Sequence, residues 1–95
     1  MNKATELMID HMIDGALWPK TQYYLQHYGS SCGGGIDMFL DNFYNDITYM
    51  INTDFDQSTQ PLLIELVDMF FDDIDQREIE KAALDKAMDC LFGDE

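Results

Sequence analysis

Basic residues are scarce in this chain of 95 residues. Five Lys and Arg stand against 19 Asp and Glu, which gives a formal net charge of −14, and none of the five lies between Thr21 and Gln76. An acidic surface is repelled by nucleic-acid phosphates and by anionic lipid headgroups. The shortage therefore argues against direct binding to nucleic acid and against a membrane partner.

Cysteine and long apolar runs are also scarce. Cys32 and Cys90 are too few for a disulfide framework, and no apolar run approaches the roughly 18 residues that a membrane-spanning helix needs. The N-terminus has neither the basic region nor the apolar region of a secretory signal. We therefore expect a cytoplasmic protein.

Groupings of residues that carry catalysis or bind zinc are absent as well. The spacings of His11, His27, Cys32 and Cys90 match no zinc motif, and no nucleophile has an evident base. The glycine-rich stretch 30–35 lacks the Lys of a phosphate-binding loop. We expect no enzyme, no catalytic residue, no metal and no cofactor.

Apolar residues are plentiful, at 46% of the chain, and they recur at helical spacing. This pattern predicts a single domain over residues 1–95, an all-α bundle of four to five helices. The predicted helices run from Ala4 to Trp18, Pro19 to Gly29, Ile36 to Ile51, Pro61 to Ile74 and Asp75 to Gly93. Only the second has a strand as an alternative, because 21–28 is rich in Tyr. Asp75 and Glu78 have the spacing of a capping box at the start of the last helix.

Carboxylates are arranged in rows on the predicted helices. Like charges at this spacing destabilise a helix, but they lie about 6 Å apart along its axis, a distance of the same order as that between phosphates on a nucleic-acid strand. The first row is Glu6, Asp10 and Asp14, the second is Asp37 and Asp41 with Tyr44 on the same face, and the third is Glu65, Asp68 and Asp72. The predicted partner-binding residues are these nine together with Asp46, Asp73 and Asp75.

In size, acidic excess and helical rows, the chain resembles the DNA-mimic inhibitors of bacteriophages and mobile elements, which include anti-restriction and anti-CRISPR proteins. The resemblance covers about residues 4–75 and concerns composition and charge pattern, without a diagnostic motif. It implies an inhibitor that blocks the nucleic-acid-binding site of a basic protein of the host, in the host cytoplasm. Many members of this class are dimers, so a homodimer stays open.

The acidic rows are also compatible with an ordinary solvated surface. Adaptation to high salt is a weaker alternative, because the seven Met and six Phe depart from the modest apolar content of such proteins. A calcium site is a further possibility that the sequence leaves open. The segment from Asp54 to Glu65 has oxygen ligands at positions 1, 3, 5 and 12 of a calcium loop, although Thr59 and Pro61 depart from its pattern. The alternative function is therefore a calcium-binding or adaptor helix–loop–helix module for protein interaction.

Overall fold

The computed structural model describes residues 2–29 and 34–92, and it places them in α-helices joined by short connections. The helices are α1 (Lys3–Met12), α2 (Trp18–Tyr28), α3 (Gly35–Asp54), α4 (Gln60–Asp73) and α5 (Gln76–Phe92). The predicted all-α bundle is confirmed, and the strand alternative for 21–28 is wrong. Residues 30–33 of the predicted loop and the predicted final Gly93 lie outside the described residues. None of the described helices has the length and apolar character required to cross a membrane.

Helix α1 is shorter than its apolar periodicity predicts. It begins after Asn2, whose side chain accepts a hydrogen bond from the Thr5 N–H at 2.9 Å, and it ends at Met12 instead of Trp18. Lys86 of α5 donates to the Ile13 carbonyl at 2.6 Å, and its Nζ lies 5.0 Å from the centroid of the Trp18 ring. A contact from the far end of the chain therefore stabilises the turn between α1 and α2.

Helices α2 and α3 approach each other backbone to backbone. Gly29 ends α2 with a φ of 86°, a left-handed conformation that glycine adopts without strain, and its carbonyl accepts from the Gly35 N–H at 2.7 Å. A Cβ on Gly35 would lie 2.6 Å from the Tyr24 carbonyl oxygen. Glycine is therefore required where α3 starts against α2.

The hydrophobic core lies at one end of the molecule. Its buried members come from α1 and the residue after it, the first turns of α3, and α5: Met8, Met12, Ile13, Ile36, Phe39, Leu40, Ile79 and Ala83. Helix α4 has no fully buried residue. Between residues 44 and 69 only Ile51 is buried, at 5% exposed, and it packs within the hairpin and not in this cluster. We call α3 and α4 with their connection the hairpin, and residues 44–69 the distal hairpin. The molecule measures 55 × 26 × 23 Å.

The start of α5 is held by α1. Asp75 accepts a hydrogen bond from the Arg77 N–H at 3.1 Å, so it caps α5 as predicted. Its own N–H donates to Thr5 Oγ1 at 2.8 Å, so the reciprocal bond to Glu78 of a capping box is replaced by a contact with α1. Thr5 is fully buried, and this bond satisfies its hydroxyl.

Candidate functional site

A cleft of about 270 Å³ lies between α3, the end of α4 and the start of α5. Two predicted carboxylates, Asp37 and Asp41, line it together with Tyr44. The spacing of these three residues places them on one side of α3. The remaining lining residues are Leu40, Phe71, Ile74 and Gln76.

Tyr44 connects the acidic rows of α3 and α4. Its hydroxyl donates to Asp68 Oδ1 at 2.5 Å, and its ring packs edge-on against Phe71 with a centroid separation of 5.3 Å. The hydrogen bond to Asp68 raises the pKa of Tyr44 above its usual 10.0, and the negative charges of Asp68 and Asp72 act in the same direction. The structure therefore brings the two rows to one flank of the hairpin.

We call this flank, formed by Asp37, Asp41, Tyr44, Asp68 and Asp72, the acidic side of the hairpin. Asp41, Asp68 and Asp72 are exposed, whereas Asp37 and Tyr44 are partly buried. No Lys or Arg occurs anywhere on α3 or α4. Glu65 is exposed and continues the α4 row by one turn toward the tip of the hairpin.

The other predicted residues are distributed elsewhere. Glu6 and Asp10 are exposed on α1 and do not line the cleft. Asp14 lies in the turn after Ile13, so the prediction of a three-residue row on the first helix is wrong, because α1 ends before it. Asp46 follows Tyr44 by two residues, about 200° further around α3, and therefore faces away from the acidic side.

The last two predicted carboxylates lie where α4 meets α5. Asp73 is exposed at the end of α4, and its backbone carbonyl accepts hydrogen bonds from the side chains of Asn2 and Thr5. Asp75 is also exposed, but its carboxylate caps α5. Both residues contribute to the connection between α1 and the α4–α5 junction.

Oxygen atoms of the candidate calcium loop are used within the hairpin connection itself. Asp56 Oδ1 accepts from Ser58 Oγ at 2.8 Å and from the Thr59 N–H at 2.9 Å, and these bonds lower the pKa of Asp56. Gln60 donates to the carbonyl of Phe55 at 2.7 Å. Across residues 2–29 and 34–92 no three His, Cys, Asp or Glu side chains form a group that could hold a metal ion.

Sequence reasoning missed Phe71 and Gln76 as parts of the site. Phe71 follows Asp68 by three residues and therefore shares its face of α4, a signal that the sequence does contain. Gln76 lines the cleft from the first residue of α5, next to Asp75, whose N–H donates to Thr5 Oγ1. No local sequence signal places it there.

No protein-family model, characterised protein or solved structure matches this chain. The function of the site is therefore argued from its geometry and charge. A flank with closely spaced carboxylates and an aromatic side chain offers hydrogen-bond acceptors, negative charge and a ring face to a cationic surface.

Proposed function

We propose that this chain is a DNA-mimic inhibitor that occupies the nucleic-acid-binding site of a basic bacterial defence protein, of the CRISPR–Cas or restriction type. The observation that carries the proposal is the convergence of two carboxylate rows on the acidic side of the hairpin. Asp37 and Asp41 line the same cleft as Tyr44, which binds Asp68 directly. The sequence between Thr21 and Gln76 contains no Lys or Arg to neutralise them.

The dimensions of the acidic side support the mimicry. Carboxylates four residues apart on a helix are separated by about 6 Å along its axis, and packed helices lie roughly 8–10 Å apart. The grooves of B-DNA, bordered by two rows of phosphates, are about 6 and 12 Å wide. Two acidic rows on neighbouring helices thus have spacings of the same order as phosphates across a groove.

The cost of this arrangement to the free protein also supports the proposal. Asp72 and Asp73 lie in the last turn of α4, where the helix dipole favours cations, and that turn has no basic residue. Asp37 and Asp41 repel each other at the i, i+4 spacing. Solubility alone does not require such placements. A groove lined with Lys and Arg would offset both the unfavourable interaction with the helix dipole and the repulsion between Asp37 and Asp41.

A complex of this kind acts by exclusion, without catalysis or a cofactor. The partner is a host protein that normally holds DNA or RNA, and the complex forms in the host cytoplasm. Complementary charge accelerates association, and screening by salt weakens it. We therefore expect binding that is rapid at low salt and falls steeply as salt is added.

The test is affinity capture from a bacterial lysate at low salt, followed by competition with duplex DNA. The wild-type chain should retain a DNA- or RNA-binding protein that duplex DNA displaces. A variant with Asn in place of Asp37, Asp41, Asp68 and Asp72 should lose most of this capture.

A control variant changes the net charge equally on α5, with Glu78→Gln, Glu80→Gln, Asp85→Asn and Asp89→Asn. It should keep the capture, because these residues lie outside the acidic side. Equal loss in both variants would show that net charge alone matters. Capture that no DNA competes with would contradict the mimicry itself.

A further inference from the structure

The flank of the hairpin away from the acidic side is apolar, and it is exposed toward the tip, whereas Phe43, Ile47 and Phe70 nearer the core are partly buried. On α3 the residues Phe43, Ile47 and Met50 follow the i, i+4, i+7 spacing of one helix face, and on α4 Leu62, Leu66 and Met69 do the same. Met50 is 56% exposed, Leu62 60%, Leu66 51% and Met69 66%. We call these six residues with Phe70 the apolar side of the hairpin.

A groove of about 240 Å³ lies at the base of this apolar side, between α1 and the hairpin. Its volume has room for one large apolar side chain. Leu7, which is 47% exposed, and His11 border it on α1. The other lining residues are Met8, Leu17, Phe43, Ile47 and Phe70. The apolar side thus continues from an open stripe into a concave anchor site, the form in which a groove receives an amphipathic helix.

Carboxylates surround this surface. Asp54 and Asp73 stand at its two ends, because each continues its helix stripe at position i+11. Glu65 lies beside Leu62 and Met69 on α4, and Asp46 lies beside Met50 on α3. Along the groove, Asp10 is one turn from Leu7 on α1. All five are exposed.

The combination of an apolar stripe and an acidic border indicates which kind of partner this surface can bind. A second copy of the chain would bring another such border against this one, at a net charge of −14 for each copy. A helix with an apolar face flanked by Lys and Arg would instead bury the stripe and neutralise the border. Met50 and Met69 add flexible side chains that adapt to different apolar partners.

We propose that the apolar side of the hairpin docks a basic amphipathic helix of a partner protein. Leu66, Met69 and Met50 contact the apolar face of that helix, and one of its large side chains enters the groove beside Leu7 and Phe70. This interaction does not depend on the DNA-mimic proposal, because it uses the other flank of the hairpin.

The experiment measures binding of a labelled helical peptide of the same length as α4. In this peptide Leu forms one face of the helix and Lys forms the other. A scrambled peptide of the same composition has the same charge but no apolar face. Fluorescence anisotropy with the full chain should give at least about tenfold tighter binding for the amphipathic peptide, the scale of effect that buried anchors produce. Equal affinity for both peptides would overturn the proposal, because charge alone would then explain binding.

The variant Leu66→Gln with Met69→Gln should reduce affinity for the amphipathic peptide at least about tenfold. Both side chains are more than half exposed, so the fold should persist, which circular dichroism checks. Met50→Gln tests the same surface from α3. Leu84→Gln with Met88→Gln on α5, where the side chains are 40% and 55% exposed, is the matched control and should bind as wild type.

Retained affinity in the Leu66→Gln with Met69→Gln variant would overturn the proposal, as would loss in the α5 control. Sedimentation of the protein alone addresses the competing occupant. Self-association that Leu66→Gln with Met69→Gln abolishes would assign this surface to a second copy and overturn the basic-helix partner.

Discussion

The two ends of the molecule use their apolar side chains differently. At the core end, Met12, Ile36 and Ile79 are at most 1% exposed, whereas Met50 and Met69 of the distal hairpin are more than half exposed. Core residues stabilise the fold in proportion to the apolar area that they bury. Ile51 is the one buried apolar residue of the distal hairpin, at 5% exposed. The difference indicates that most of the buried apolar area, and with it most of the stability, lies at the core end, while the distal hairpin has exposed apolar surface.

The largest expected difference between the two ends comes from truncating one apolar side chain at each. Ile79→Ala at the core end should destabilise the protein by about 2–5 kcal/mol, because it leaves a cavity. Leu66→Ala on the distal hairpin should cost about 1 kcal/mol or less, because half of that side chain is already in water. Urea unfolding of both variants measures the free energies. Similar losses would show that the distal hairpin belongs to the core.

A smaller difference is expected between two threonines. Thr5→Val removes the buried acceptor of the Asp75 N–H and should cost about 1–3 kcal/mol, because that N–H loses its partner. Thr53→Val on the distal hairpin removes only a bond from an exposed hydroxyl to the Tyr49 carbonyl, and we expect a change within about 0.5 kcal/mol. Thermal unfolding compares them. A larger loss for Thr53→Val would contradict the concentration of stability at the core end.

The smallest expected effect concerns the acidic side itself. In Asp68→Asn the pKa of Tyr44 should fall toward its usual 10.0, because the carboxylate that accepts its hydrogen bond is gone. Nuclear magnetic resonance of the labelled Tyr44 ring follows this titration. Since the folded state raises this pKa, the associated stability is present below pH 10.0 and is lost as the pH rises through the raised value.

Asp46→Asn is the control for that titration, because Asp46 faces away from Tyr44. The pKa of Tyr44 in Asp46→Asn should be the same as in the wild-type chain. An unchanged pKa in Asp68→Asn would contradict the contact between the two acidic rows.

The sequence predicts helices well where a local pattern decides the structure. Pro19 in the first turn of α2 and Gly29 after its end are both found as predicted, and α3 has the expected apolar periodicity. The i, i+4 spacing of Asp37 and Asp41 likewise determines their common face on α3. These features depend on neighbours within one or two turns, which the sequence displays directly.

Features that depend on distant residues were not predictable in this way. The end of α1 is stabilised by Lys86, and the start of α5 by Thr5, each about 70 residues away along the chain. The joining of the acidic rows depends on the hairpin register that places Tyr44 against Asp68. Spacing within one helix contains no information about that register.

The length by which the hairpin extends beyond the core limits how deep a recess of a partner the molecule can enter. From Tyr44 to Asp54 helix α3 rises about 15 Å at 1.5 Å per residue, beyond the last residues that pack on the core. The distal hairpin can therefore enter a recess of about that depth while α1, α2 and α5 remain at its mouth. In a shallower recess, only the tip of the hairpin would make contact with the partner. In a deeper recess, the hairpin would not reach the floor of the recess.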